Sequence, residues 1–335
     1  MKNQFLLLCG ALGFLACGCQ KSNTQDDVIS QRYIHKYGYA VSKEEWESRN
    51  YPGQVITNLR NGVTVTATYE NGVLHGPCTL TYPNSQTIET YYLYNQGNVA
   101  KEVLYDIKGM PVRETVRLSP TRYTMTFWYE DGTPMSIEEF ANEELLEAQY
   151  LTVNNETESR VEKGNGLRVR RAREGVLISK DQIAAGTMVK RDSFYPNGTP
   201  EMVAYYSDSK LHGEKRTFAS NGEPLLIEEY INGQLHGKTT HFKNGVKYLE
   251  ISYLDGQRNG SEVHFLDGEQ ISQEIQWEND KKHGPATFYV DGGGTRIEYY
   301  YDGSLVSKED YDALYRRDEM ISNISQDVRW DGQRN

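Results

Sequence analysis

Hydrophobic and polar positions follow a short, repeating rule through the second half of the chain. An aromatic residue recurs in steps of 11 or 12, at Tyr195, Tyr206, Phe218, Tyr230, Phe242, Tyr253, Phe265, Trp277, Tyr289 and Tyr300. Six copies continue with one residue, then Asn or Asp, then Gly, as in Tyr195-Pro-Asn-Gly198 and Tyr230-Ile-Asn-Gly233. Ahead of alternate aromatics, the residues two earlier are Ala204, Glu228, Ile251 and Ile275, and those four earlier are Met202, Leu226, Leu249 and Gln273. The intervening strands carry Thr240, Val263 and Thr287 two residues earlier. One greasier face and one wetter face at period two predict antiparallel strands. A fixed period of this length predicts a repeat architecture.

The turns between these strands are of two kinds. Asn221-Gly222, Asn244-Gly245 and Asp267-Gly268 predict tight two-residue type I′ turns, which need positive φ at both central positions. Asn232–Gly237 and Asp255–Gly260 predict wider turns closed by a second glycine, with weaker copies at 208–213 and 279–284. Weaker aromatic slots at Tyr69, Tyr82, Tyr94, Tyr105, Tyr129 and Phe140 extend the same phase into the first half. Residues 151–190 lose the phase and read as a divergent repeat pair or an inserted hairpin. Ser42-Lys-Glu-Glu45 and Ser307-Lys-Glu-Asp310 are capping-box patterns. The second predicts a short C-terminal helix carrying Tyr311, Leu314 and Tyr315 at helical spacing.

Tyr-x-Asn-Gly-x-Leu-His-Gly, as in Tyr69–Gly76 and Tyr230–Gly237, resembles the variant MORN repeat of bacterial proteins, a group labelled antitoxin-like. The resemblance covers about residues 56–150 and 191–305. It implies an all-β fold, an elongated antiparallel β-meander of stacked MORN-type hairpins. It carries over no catalytic residue. The expected organisation is a signal peptide (1–18), a tether and short ordered segment (19–55), degenerate repeats (56–150), the divergent segment (151–190), repeats (191–305), and a helix with a tail (306–335).

The N-terminus changes the picture of where the protein works. Lys2 precedes an apolar run from Phe5 to Ala16, then Cys17-Gly18-Cys19 and a polar stretch. A basic start, a short apolar core and small residues make a secretory signal. The cysteines at its end resemble a bacterial lipobox, which implies lipidation, at Cys19 with Gly18 before it or at Cys17. Ordinary cleavage releasing a soluble protein is the alternative. Cys78 then stands alone, so no disulfide framework is expected.

The 335 residues carry a net charge of −11, which argues against a broad nucleic-acid surface. One basic run, Arg168, Arg170, Arg171 and Arg173, reads as a solvated strand face or as a local anionic contact. His75, His212, His236 and His283 recur at one position and read as turn residues. His241 and His264 lie two strands apart with no third ligand, so no metal site is expected. Glu228-Glu229, Glu138-Glu139 and Glu143-Glu144 point to opposite faces of a strand and make poor acid–base partners. No cofactor and no catalytic residue is expected.

What remains is an exported, lipid-anchored, non-catalytic scaffold that binds an envelope protein. The expected contact residues are Tyr206, Tyr230, Phe242, Tyr253, Phe265, Trp277 and Tyr289. Three rivals share the sequence: a membrane-lipid or envelope-glycan binder, an antitoxin-like inhibitor, and an exported hydrolase with its site in 151–190. A mostly apolar sheet face must be covered, by curling, by the 151–190 segment or by a homodimer.

Overall fold

The computed structural model describes residues 27–290 and 294–331. The expected export signal with Cys17 and Cys19, residues 291–293 and the last four residues lie outside the described residues. Twenty-six strands and two helices make up the described chain. It divides into two compact units, one of residues 27–143 with 147–157, the other of 144–146 with 158–331.

Each unit is an open antiparallel β-meander of stacked hairpins. In the first, Val28–His35 pairs with Ala40–Val41 and Gly53–Leu59, and each later strand pairs with its successor up to Pro134–Ala141. In the second, the same order runs from Asn165–Arg171 to Ser304–Val306. Ser42 caps the helix Lys43–Arg49 by accepting from the Glu45 N–H at 3.1 Å, and Trp46 of that helix is buried. Ser307 caps Lys308–Asp331 in the same way, accepting from Asp310 N–H at 3.1 Å. The first turns of that helix set Tyr311 against Tyr299 and His283. No helix among the described residues is long and apolar enough to cross a membrane, which says nothing of strands.

The two turn types are distributed differently from the sequence expectation. Asn232-Gly233, Asp255-Gly256 and Asn71-Gly72 have positive φ at both residues, so the type I′ turns open the segments read as wide. The second glycine then lies inside the following strand at a β-bulge. Gly213, Gly237, Gly260 and Gly284 have φ between 95° and 109°, and pairing shifts register opposite them, as between Ala204 and Tyr206. Asn244-Gly245 is type I′ as expected, with φ of 52° and 75°. Asn221-Gly222 and Asp267-Gly268 are not, because only the glycine has positive φ. At Asn221 the loop has three residues: Gly222 N–H donates to Ala219 O, Ala219 N–H to Glu223 O, and Asn221 Oδ1 accepts from Glu223 N–H. That is a type I turn followed by a left-handed glycine. Tyr195-Pro-Asn-Gly198 uses the same frame, with Pro196 at the first central position of the type I turn, where its fixed φ near −65° fits.

Residues 157–194 form four antiparallel strands, Thr157–Glu162, Asn165–Arg171, Leu177–Ala184 and Thr187–Phe194. Lys163-Gly164 and Ala185-Gly186 have positive φ at both residues, and Ala172–Val176 is a three-residue loop with the same bonds as Ala219–Glu223. The frame therefore runs through this stretch with Val161 and Ile183 in the aromatic slots and Lys163 and Ala185 in place of Asn.

Neighbouring hairpins are stitched at the turns. The second residue of a type I′ turn donates its N–H to a carbonyl one repeat earlier: Gly97 to Leu74, Gly233 to Leu211, Gly256 to Leu235, Asp280 to Arg258 and Gly303 to Lys282, at 2.7–3.0 Å. At the opposite turns, of three residues after Tyr129 and Tyr195 and four after Tyr82, a phenol makes the link, from Tyr82 to Tyr105 O, Tyr129 to Leu151 O and Tyr195 to Phe218 O.

Candidate binding surface

Register places the aromatics that precede type I′ turns in one row of the second unit. Tyr230 stands opposite Gly213 and Leu235, Tyr253 opposite Gly237 and Arg258, Trp277 opposite Gly260 and Lys282, and Tyr300 opposite Gly284 and Leu305. Each ring thus neighbours the bulge glycine of the preceding hairpin. Cations stack on the row. Arg258 lies 3.6 Å from the Trp277 ring centre, and Lys282 lies 6.0 Å from Trp277 and 4.9 Å from Tyr300. Such stacking contributes about 0.5–1 kcal/mol where the cation stays hydrated.

Of the seven expected contact residues, the structure brings Tyr206, Tyr230, Tyr253 and Trp277 into this row. Phe242, Phe265 and Tyr289 stand at the opposite ends of their strands, before the other turns. Tyr289 is exposed at 44%, whereas the other six are half-buried. Lys247 sits 3.9 Å from the Phe265 ring centre. Burial, then a hydrogen bond to Glu228 Oε1 at 2.9 Å, pushes the Tyr230 phenol far above the ordinary tyrosine value. Burial likewise raises Tyr253. These phenols stay protonated and suit contact chemistry, offering a ring and a hydroxyl, rather than proton transfer.

Two residues inward from this row lies a line of side chains that the sequence pattern did not reveal. Cross-strand pairing runs Arg168–Asp181–Arg191–Ala204–Lys215–Glu228. Asp181 is fully buried and receives two hydrogen bonds from Arg191, at 2.8 and 2.7 Å. Lys215 Nζ donates to Glu228 Oε2 at 2.7 Å, and Glu228 is 8% exposed. Arg171 of the basic run grips Glu158 with two bonds of 2.9 and 2.7 Å. The anionic contact considered for that run is thus, at Arg171, an internal carboxylate. Only register and bulges bring these charges together, and neither can be read from spacing alone.

The recurring histidines belong to the bulges rather than to the turns. His75 Nδ1 accepts from Gln96 N–H at 3.3 Å, and His283 Nδ1 from Asp302 N–H at 3.4 Å. Each acceptor reaches the first residue of the next hairpin's type I′ turn. His264 Nε2 lies 2.7 Å from Glu262 Oε1, with Leu249 between it and His241 in the pairing order. Burial lowers the pKa of His241. Among the described residues no three His, Cys, Asp or Glu side chains converge on a metal-sized site.

The first unit presents two open clefts. One is lined by His35, Lys36, Gly53, Thr68, Glu70 and His75 among others, the second by Tyr91, Leu93, Val103, Tyr105, Pro111 and Trp128. Trp128 lies one residue before the phased Tyr129, which is why the aromatic rule passed over it.

Residues 67–87 and 276–294, one segment in each unit, match the MORN repeat family. Those segments carry MORN repeats. In the first, the MORN frame spans the strand end at Tyr69, the turn Asn71-Gly72 and the bulge at Gly76. In the second it spans Trp277, Asn279-Asp280 and Gly284. No curated protein matches the chain. A crystal structure of BamB from Moraxella catarrhalis is similar at 7% identity over 74% of this chain and 82% of that one, with a TM-score of 0.14, a value that carries no argument.

Proposed function

We propose that this protein is a non-catalytic repeat scaffold of a bacterial cell envelope, exported by its leader, anchored through a lipid on Cys19, and bound to a partner protein through the Tyr206–Tyr230–Tyr253–Trp277 row. The observation that carries the reading is the repetition itself. The same ring beside a bulge glycine recurs at Tyr230, Tyr253, Trp277 and Tyr300, with cations over three of the four, which suits an extended contact better than a single reacting centre. Tyr, Trp and Arg are the side chains that dominate protein interfaces. The variant MORN type and its antitoxin-like label belong to this proposal as well. Against a cytoplasmic toxin the export leader speaks for a different target.

Stacked Arg258, Trp277 and Lys282 also favour a second reading, in which the row takes an anionic lipid or envelope glycan. One experiment separates the two. Full-length protein and a Tyr253→Ala/Trp277→Ala variant are compared in partner recovery from envelope extracts and in flotation with anionic vesicles. Recovery of one protein by the wild type alone supports the scaffold. Flotation without any recovered protein replaces it with the lipid reading. Fatty-acid labelling that persists in Cys19→Ser removes the anchor from that residue.

A further inference from the structure

The sequence holds eight Asn-Gly pairs, and six lie in hairpin turns: Asn61, Asn71, Asn197, Asn221, Asn232 and Asn244. This dipeptide is chemically labile. The glycine nitrogen can bond to the asparagine Cγ while the Cγ–Nδ2 bond breaks, and the side-chain nitrogen leaves as ammonia with the proton lost from the glycine N–H. Water then opens the succinimide at either carbonyl, giving aspartate or isoaspartate. One water is consumed, one ammonia is released, and nothing is oxidised or reduced.

The fold treats the six turns unequally. Gly62, Gly198 and Gly222 donate their N–H to Leu59, Tyr195 and Ala219 carbonyls inside three-residue turns, at 2.8–3.0 Å. Asn197 is further held by Ser220 O through Nδ2 and by Thr199 through Oδ1. Three turns share one conformation: Asn71, Asn232 and Asn244 all have φ of 52°, followed by glycines at 77°, 85° and 75°. All three asparagines are exposed. They differ in the nucleophile. Gly233 N–H is bonded to Leu211 O of the preceding hairpin at 2.8 Å, whereas among the described residues Gly72 and Gly245 N–H have no backbone acceptor. Asn244 turns on the side of the sheet where phenols do the stitching, and Gly72 lies against the Asn50 side chain instead of a preceding type I′ hairpin.

We propose that Asn71 and Asn244 are modification sites, deamidating spontaneously to aspartate and isoaspartate, while the inter-hairpin bond at Gly233 protects Asn232. The protection should be about fivefold or more, the size of one net hydrogen bond. Each event adds a negative charge, and isoaspartate also inserts a backbone carbon into a two-residue turn.

The test ages the full-length protein in mildly alkaline heavy-oxygen water and follows each Asn-Gly peptide by mass spectrometry, folded and in urea. Asn71 and Asn244 should incorporate label at least about fivefold faster than Asn232 in the folded protein, with the difference lost in urea. Asn244→Gly, which retains the positive φ, should abolish label in that peptide and leave Asn71 unchanged. Equal or faster conversion at folded Asn232 overturns the proposal. So does an intact Asn244 over a period in which the unfolded chain converts.

Discussion

One repeat position is filled in opposite ways in the two units. In the first, the residue two before the aromatic is Ala67 and the residue two after the bulge glycine is Cys78; with Tyr94 they form a buried cluster lined by Val65, Leu74 and Leu80. In the second, the same two places hold fully buried Asp181 and Arg191, joined by hydrogen bonds of 2.8 and 2.7 Å, and further along the row Lys215 is bonded at 2.7 Å to Glu228 of the neighbouring hairpin. Near the other end of the second unit the places revert to Ile275 and Ala286, both buried. Turns and bulges therefore set the hairpin frame, and the centre of the frame accepts either packed carbon or a satisfied ion pair. The cost differs, because a buried charge is tolerable only while its partner is present.

The sharpest way to break this comparison is to strand one charge. Asp181→Ala should destabilise the second unit by about 3–5 kcal/mol, seen as faster hydrogen exchange in peptides covering Arg168 and Arg191. Replacing Asp181 by Leu together with Arg191 by Met should recover most of that loss, making the site resemble Ala67–Cys78. An apolar centre fails by overfilling instead. Cys78→Leu should cost about 1–3 kcal/mol in the first unit, since Cys78 is fully buried, and should leave exchange around Asp181 unchanged.

A titration sharpens the comparison further. Tyr230 is held above its ordinary value by burial and by Glu228. A raised folded pKa gives stability that is complete below the unfolded value of about 10 and is lost as pH rises through the folded one. Denaturation midpoints should fall above that pH, and Tyr230→Phe should flatten the fall. The smallest effect separates the turns. Asn221→Ala loses one side-chain bond to Glu223 N–H, about 0.5–1.5 kcal/mol, and should leave the three-residue loop intact in exchange data.

The sequence made some of this legible and hid the rest for physical reasons. Period, strand alternation and both helix caps could be read directly, because Asn, Gly and Ser act locally. Most turn types were exchanged, Asn244-Gly245 excepted, because the same Asn-Gly pair can be the centre of a type I′ turn or the end of a three-residue loop. Residues 151–190 looked foreign because Val161 and Ile183 replace aromatics while Lys163 and Ala185 still adopt the left-handed turn. The charged row was invisible, since each bulge shifts the register by an amount that spacing does not encode. In the candidate surface the aromatic positions were legible, but their partition between two strand ends and the stacked cations were not.

We propose that a partner protein sits on the row beside the type I′ turns. Photo-crosslinking in living cells tests it most directly, with the crosslinker placed at Tyr253 and, as a control, at exposed Tyr248. One discrete protein adduct is expected from position 253, disappearing when Trp277→Ala is added, with none from position 248. No adduct at 253, or the same adducts from both positions, would contradict it.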